Sequence, residues 1–330
     1  MSTELKTYKA RDFASDQDVK WCPGCGDYAI LKQIQGTLPS IGVNKEDIVF
    51  VSGIGCSSRF PYYMNTYGLH SIHGRAPGFA SGLKVARPEL SVWMVTGDGD
   101  ALSIGGNHLI HLLRRNVNIN VLLFNNEIYG LTKGQYSPTS ELGKVTKSTP
   151  SGSVDHPFNP LSLALGSDAT FIARTMDKDP KHMKKMFLES ENHQGTSFLE
   201  IYQNCVIFND NAFDVFTDRG TKKSHTIFLE EGEVLKFGDK MEFTVVLDGF
   251  TPKVKLIDEC TETELWIHDP YDKTKAFILT QFFGKNEALP RPFGVLYKED
   301  RLCYETALNN QVENTGNLDD ILKGNNTWEM

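Results

Sequence analysis

The stretch ELSVWMVTGDGD (residues 89–100) runs from an apolar, β-branched segment straight into a glycine-rich turn. The same pattern recurs along the first two-thirds of the chain. DIVFVSGIGC (47–56), VNINVLLFNN (117–126) and TSFLEIYQNC (196–205) each read as a buried strand with Gly, Asn or Cys at its carboxyl end. Helical patterns lie among them. DYAILKQIQGTL (27–38) places Ile30, Leu31, Ile34 and Leu38 on one face, LIHLLRR (109–115) is the apolar stretch of a second helix, and HMKKMFLESENHQG (182–195) is a third that stops at Gly195. Strands alternating with helices predict an α/β fold with a mostly parallel sheet flanked by helices. Ligands of open α/β sheets bind at the carboxyl ends of strands. Every chemically distinctive segment of this sequence falls at such an end or on a neighbouring loop.

The chain has 330 residues, 40 % of them hydrophobic and 23 % charged, which is enough for one large core or two moderate ones. A net charge of −8 with no long Lys/Arg block argues against nucleic acid as a partner. No run of about 18 apolar residues exists, so no membrane span is expected. The polar start, MSTELKTYKARDF, carries no apolar export segment, which points to a cytoplasmic protein. The match to a glycosylation acceptor, NNT at 325–327, therefore carries no weight. Residues 1–20 read as a polar lead-in. Beyond about residue 206 the texture shifts to short strand-like pieces with many charges, which sets a soft boundary near 210. Residues 1–210 form the binding domain, and residues 211–330 a C-terminal extension whose tail, from Glu305, is polar and reads as a helix plus a loose end.

Gly97, Asp98, Gly99 and Asp100 are followed, one helix and one strand later, by Asn125 and Asn126. That organisation suits a diphosphate held through a divalent metal. Glycines let the backbone approach and expose its amides to phosphate. Asp98 offers a carboxylate oxygen, and Asn126 an amide oxygen, to a hard octahedral cation such as Mg²⁺. Chance turn and strand-end sequences are the plain alternative. The spacing resembles the thiamine diphosphate motif, in which Gly-Asp-Gly precedes Asn-Asn by a little under thirty residues. That resemblance implies that the Ile128 carbonyl completes the protein ligands.

Six cysteines are too sparse for a secreted disulfide scaffold. Cys22 and Cys25 form a CxxC pair, while Cys56 and Cys205 each end a strand pattern. Four thiolates are what an iron–sulfur cube needs. A zinc ribbon would pair its cysteines as CxxC twice. On spacing alone a redox dithiol at Cys22 and Cys25, with Cys56 and Cys205 as inert buried thiols, remains open. Cys260 and Cys303 have no local company and read as packed or surface thiols.

The segments WCPGCG, SGIGCSSR, HGRAPGFASGLK, GDGDALSIGGNHLIHLLRRN and NNEIYGLTKGQYSPT, with the late Cys205 and then LPRPFGVLY (289–297), occur in one order. Together they resemble the thiamine-binding beta subunits of the 2-oxoacid:ferredoxin oxidoreductases. The resemblance implies a thiamine diphosphate-binding fold and one [4Fe–4S] cluster on Cys22, Cys25, Cys56 and Cys205. It implies Mg²⁺ on Asp98, Asn126 and Ile128. It implies cofactor contacts from Gly53, Ile54, Gly55, Cys56, His73, Gly97, Asp98, Gly99, Asp100, Asn126, Ile128, Gly130 and Leu131. His73 and Arg75 are candidate contacts to the diphosphate or a substrate carboxylate, Arg being suited to bidentate anion binding. The tie of Arg75 to a neighbouring acid is the structural alternative. His108 and His111 read as packed or surface residues.

The implied reaction is the reversible, coenzyme A-dependent oxidative decarboxylation of a 2-oxoacid, with electrons passing through the cluster to ferredoxin. YGLTKGQYSPT resembles the 2-oxoglutarate or broad-specificity branch, in which a lysine at the position of Lys133 is associated with substrate choice. An ammonium there can pair with the distal carboxylate that 2-oxoglutarate has and pyruvate lacks; otherwise Lys133 is a solvated loop residue. No second domain that would supply the carboxylate for the thiamine aminopyrimidine is recognisable. The family places it on a companion alpha subunit, often fused to a gamma domain, so a heteromer is expected. Three other readings stand beside this one: a pyruvate-specific or broad-specificity enzyme, a zinc-bearing structural subunit with a degenerate pocket, and a cluster-free thiamine decarboxylase.

Overall fold

The structure, a computed structural model, describes residues 6–284 and 289–312. The glycosylation match and most of the polar tail lie outside the described residues. Eleven strands occur among those described: β1 (Ile48–Ser52), β2 (Tyr67–His70), β3 (Ser91–Gly97), β4 (Asn120–Asn125), β5 (Phe171–Met176), β6 (Ser197–Tyr202), β7 (Thr226–Phe228), β8 (Lys236–Phe237), β9 (Phe243–Asp248), β10 (Thr251–Leu256) and β11 (Arg291–Lys298). Eight form one sheet in the order β2-β1-β3-β4-β6-β5-β11-β7, and β10-β9-β8 form a small antiparallel sheet. Within the large sheet only the β5–β11 pair is antiparallel. Strands from both sides of residue 210 therefore build the same sheet.

Strands β1, β4, β5 and β6 are buried along their whole length, as strands covered on both faces are, and β1 and β4 show it as nearly continuous apolar runs. Successive side chains alternate between two cores. Val49, Val51, Val92, Met94, Val121 and Leu123 pack under helices α2 (Ala76–Ala86) and α4 (Gly106–Arg115) on one face. Ile48, Phe50, Trp93, Val95, Leu122 and Phe124 meet helices α1 (Asp27–Thr37) and α6 (Pro180–Asn192) on the other. Ile30, Leu31, Ile34 and Leu38 are all buried, as their spacing predicts. The intervening α3 (Asp98–Leu102) begins immediately after Gly97, so the Gly-Asp-Gly segment is the first turn of a helix and not a free loop. Helix α5 (Pro160–Gly166) packs its Leu161, Ala164 and Leu165 into the first core. Among the described residues no helix is long and apolar enough to cross a membrane.

One charge pair interrupts the apolar interior. Arg174 on β5 and Glu200 on β6 sit opposite each other in register, with Nε donating to Oε2 at 2.6 Å, and both are essentially inaccessible to solvent. Two further contacts brace the pair, while Arg174 Nη2 is buried without a hydrogen-bond partner among the described residues. Asn125 Nδ2 donates to Glu200 Oε1 (2.8 Å), and Arg174 Nη1 donates to the Pro292 carbonyl (3.1 Å) on β11. This pair joins the end of β4, which carries the Asn-Asn segment, to the antiparallel strand contributed by the C-terminal part. Removing one partner leaves an uncompensated charge in a low-dielectric interior. Arg174→Met is expected to lower the unfolding free energy by about 3–5 kcal/mol in urea titrations. Arg174→Met/Glu200→Gln should recover part of that loss, because a neutral glutamine still accepts from Asn125. Equal losses in the two variants would argue against the charge as the cause.

Candidate active site

The carboxyl ends of four neighbouring strands, β1, β3, β4 and β6, open onto two adjoining cavities of about 130 and 220 Å³. Cys56, Asn126, Gly130 and Leu131 line both and form the wall between them.

The smaller cavity is bounded by Ile54, Gly55, His73, Gly97, Asp98, Gly99, Asp100, Ile128 and Tyr129. Asp100 fixes its shape. Oδ1 accepts from the amides of Ile54 (3.0 Å) and Gly74 (2.7 Å) and lies 2.6 Å from His73 Nδ1, while Oδ2 accepts from Thr96 Oγ1 (2.7 Å). A single carboxylate thus ties the segment after β1, the 73–74 turn and the end of β3 together. Gly53 packs behind it; a Cβ there would lie 1.9 Å from Asp100 Oδ2, so no side chain fits. Gly53 buttresses the cavity and does not line it, in contrast to its expected cofactor contact.

Asp98 is buried at the cavity wall. Ser137 Oγ donates to its Oδ2 (2.5 Å), and Thr139 Oγ1 stands 2.6 Å from the same oxygen and 2.9 Å from Asn125 Oδ1. Burial pushes the Asp98 carboxyl up to about 6, partly offset by those hydroxyls. Asn126, next to the strand end, accepts from the Ile128 amide at Oδ1 (3.2 Å). Between them Glu127 turns the chain at a positive φ of 55°, with Asn125 Oδ1 accepting from its amide. A carboxylate, a side-chain amide and the Ile128 segment thus meet on one cavity, an all-oxygen donor set of the kind Mg²⁺ takes.

All four of Cys22, Cys25, Cys56 and Cys205 line the larger cavity. Cys56 Sγ and Cys205 Sγ lie 3.5 and 3.7 Å from where a Cβ on Gly130 would stand, so these sulfurs pack against bare backbone in the wall between the cavities. The CxxC turn is anchored by Cys25 N donating to Cys22 O (3.1 Å) and by Gly26 N donating to Asn204 O (3.1 Å). Trp21 Nε1 donates to the Cys56 carbonyl (2.7 Å). Burial pushes the Cys56 thiol up to about 12 and raises Cys25 further. A bound metal reverses that cost by supplying positive charge. Asp27, buried beside Cys25, has no N–H or O–H partner among the described residues, and burial pushes it up to about 7. Among the described residues no three His, Cys, Asp or Glu side chains converge tightly enough for a single ion. Four thiols spread around one cavity suit a polynuclear cluster better than a lone tetrahedral zinc.

Lys133 lies at a positive φ of 76° in the turn after Ile128 and lines the thiol cavity, its ammonium in no ion pair among the described residues. Arg75, a candidate anion contact, lines neither cavity. Its guanidinium donates to the Ile104 carbonyl (3.1 Å) and faces His108 Nδ1 (3.3 Å), which holds the 73–75 turn to the start of α4. Among the described residues none beyond Phe208 lines either cavity. Cys260 is partly exposed and Cys303 buried, both remote from the site. Sequence reasoning misses Ser137, Thr139 and Gln203. The run SPT after the Asn-Asn turn is the only visible signal for Ser137 and Thr139, and Gln203 has none.

Residues 53–201 match the family described as thiamine pyrophosphate enzyme, C-terminal TPP binding domain. The chain is 51 % identical, over 98 % of its own length and 88 % of the relative's, to the 2-oxoglutarate oxidoreductase subunit KorB of Mycobacterium tuberculosis. It is 43 % identical to the 2-oxoacid:ferredoxin oxidoreductase subunit beta of Saccharolobus solfataricus, over 62 % of this chain and 67 % of that one. A solved structure, 2-oxoglutarate:ferredoxin oxidoreductase from Magnetococcus marinus with 2-oxoglutarate, coenzyme A and succinyl-CoA bound, superimposes with a TM-score of 0.75 at 30 % identity, covering 99 % of this chain and 94 % of that one. Identity of this extent across nearly the whole chain, joined to a strand-end cavity lined by Asp98, Asn126 and a cysteine, makes the protein a member of the 2-oxoacid:ferredoxin oxidoreductase beta-subunit family.

Proposed function

We propose that this chain is the beta subunit of a 2-oxoglutarate:ferredoxin oxidoreductase, binding thiamine diphosphate and Mg²⁺ in the smaller cavity and one [4Fe–4S] cluster in the larger. The observation that carries this reading is the shared wall: Cys56, Asn126 and Gly130 face both cavities. Bound thiamine diphosphate supplies the electron sink for loss of CO₂ from a 2-oxoacid, and a bound cluster carries single electrons onward. Asp98, Asn126 and the Ile128 carbonyl are the cation ligands, and the amides around Gly97 and Gly99 face the diphosphate. Ser137 and Thr139 hold Asp98 by Oδ2. His73, with Nδ1 on Asp100, presents its other ring nitrogen as a polar contact at the cavity rim. Cys22, Cys25, Cys56 and Cys205 are the cluster ligands.

The remaining components come from outside this chain. A companion alpha subunit, often fused to a gamma domain, supplies the carboxylate for the thiamine aminopyrimidine. Ferredoxin takes the electrons and coenzyme A the acyl group. The part beyond residue 210 offers its outer surface to those subunits. Lys133, in no ion pair among the described residues, selects the distal carboxylate of 2-oxoglutarate; a broad-specificity or pyruvate enzyme is the second reading, and it turns on this residue.

Anaerobically purified protein is expected to absorb near 400 nm, to bleach with dithionite, and to contain iron and sulfide in equal amounts. Colourless protein carrying zinc would refute the cluster. In the assembled enzyme, Lys133→Ala should raise the KM for 2-oxoglutarate by about 10- to 100-fold, the worth of one charged hydrogen bond, and leave the pyruvate KM nearly unchanged. A parallel rise in both constants removes Lys133 from substrate choice. Thr139→Val is expected to weaken Mg²⁺-dependent thiamine diphosphate binding by about tenfold in equilibrium dialysis, with Thr139→Ser near wild type. Equal binding by both variants would detach Thr139 from the cation site.

A further inference from the structure

Gln203 follows the last residue of β6 and is 1 % exposed. Its carboxamide reaches in two directions. Oε1 accepts from Asn126 Nδ2 at 2.7 Å. Nε2 donates to the Asn204 carbonyl at 2.6 Å and lies 3.2 Å from Cys25 Sγ. The backbone amide of Gln203 donates to the Asn125 carbonyl (2.9 Å), which keeps the residue at the junction of β4 and β6.

The chemistry of these partners fixes which way each amide faces. A carbonyl can only accept, so the Asn204 oxygen holds the NH₂ of Gln203 on its side, next to the sulfur. The Gln203 oxygen must then face Asn126 and demand its NH₂. Asn126 Oδ1 is thereby left on the side of the Ile128 amide and the cofactor cavity. One buried side chain sets the orientation of a residue on the cation side and places a donor on a thiol on the cluster side. No other side-chain amide among the described residues donates to any of the four cavity cysteines.

We propose that Gln203 is a positioning residue shared by the two cofactor sites: it turns the Asn126 oxygen toward the cation and raises the reduction potential of the cluster through an N–H···S hydrogen bond to Cys25. The inference rests on the cluster and cation assignments made above. A donor on a thiolate stabilises the more negative, reduced state of a cluster, and second-shell donors of this kind tune both potential and ligand geometry. Removing the donor therefore lowers the potential.

Two substitutions separate the two ends. Gln203→Leu removes both contacts. Gln203→Glu keeps an oxygen for Asn126 Nδ2 and replaces the donor on Cys25 by an acceptor. Both would be studied in the complete heteromeric enzyme, by redox titration followed by electron paramagnetic resonance, and by Mg²⁺ titration of thiamine diphosphate binding. Both variants should show a midpoint potential shifted to lower values with full iron content. Gln203→Leu alone should raise the half-saturating Mg²⁺ concentration, by about 2- to 10-fold. Wild-type potentials in both variants at full iron overturn the proposal, and an unchanged Mg²⁺ requirement in Gln203→Leu overturns its cation half. Loss of iron from both variants also overturns it, because the four thiolates remain. Absence of iron from the wild-type enzyme would instead refute the cluster assignment on which the proposal stands.

Discussion

The central sheet is covered on both faces, and that constraint governs where chemistry can occur. Along β1, β3 and β4 every apolar side chain meets one of two apolar cores. Polar groups are tolerated there only when fully paired, and the paired exceptions are informative. Glu200 is wholly buried, yet its two oxygens accept from Arg174 and Asn125, so the charge is answered from both neighbouring strands. Thr139 extends this buried polar path to Asp98, at the cavity wall. Everything else polar is driven to the strand ends. The functional residues therefore sit in a row along one edge, in the order in which β1, β3, β4 and β6 lie side by side.

That row explains how two sites of different chemistry come to share a wall. β4 ends in Asn125 and Asn126, and β6 ends just before Gln203, Asn204 and Cys205. Because β4 and β6 pair directly, a side-chain amide and a thiol arrive within one residue's reach of each other. β1 delivers Cys56 from the other side. The antiparallel β11 adds no site residue. It contributes the Pro292 carbonyl that completes the Arg174 pair, so the C-terminal part supports the site through the sheet's interior.

Much of this is legible in the sequence, for a physical reason. A strand buried on both faces must be apolar throughout, and the residue that stops it is conspicuous. Cys56, Asp98, Asn126 and Cys205 stand out because each interrupts such a run. β5 escapes notice because Arg174 breaks its apolar pattern, and the partner that makes the charge tolerable lies on another strand. β11 carries Arg291, Pro292 and Gly294, which argue against a central strand when read alone. Arg75 looks like an anion-binding residue by type, and only the fold reveals that Ile104 and His108 already hold it. Ser137, Thr139 and Gln203 belong to residue types with no spacing rule of their own. Their partners are 39, 41 and 77 positions away, so their role exists only in three dimensions.

The Asp100 carboxylate has a mechanical consequence. The amides of Ile54 and Gly74 come from segments about twenty residues apart, yet the same oxygen protects both from water. Neither can open to solvent by fraying on its own without loosening the hold on the other. The β1–β2 pairing continues into these segments through Ser71 N donating to the Ser52 carbonyl (2.8 Å), and Asp100 closes it beyond the strand ends, so the two segments form one cooperative unit of local unfolding whose last link is a single side chain.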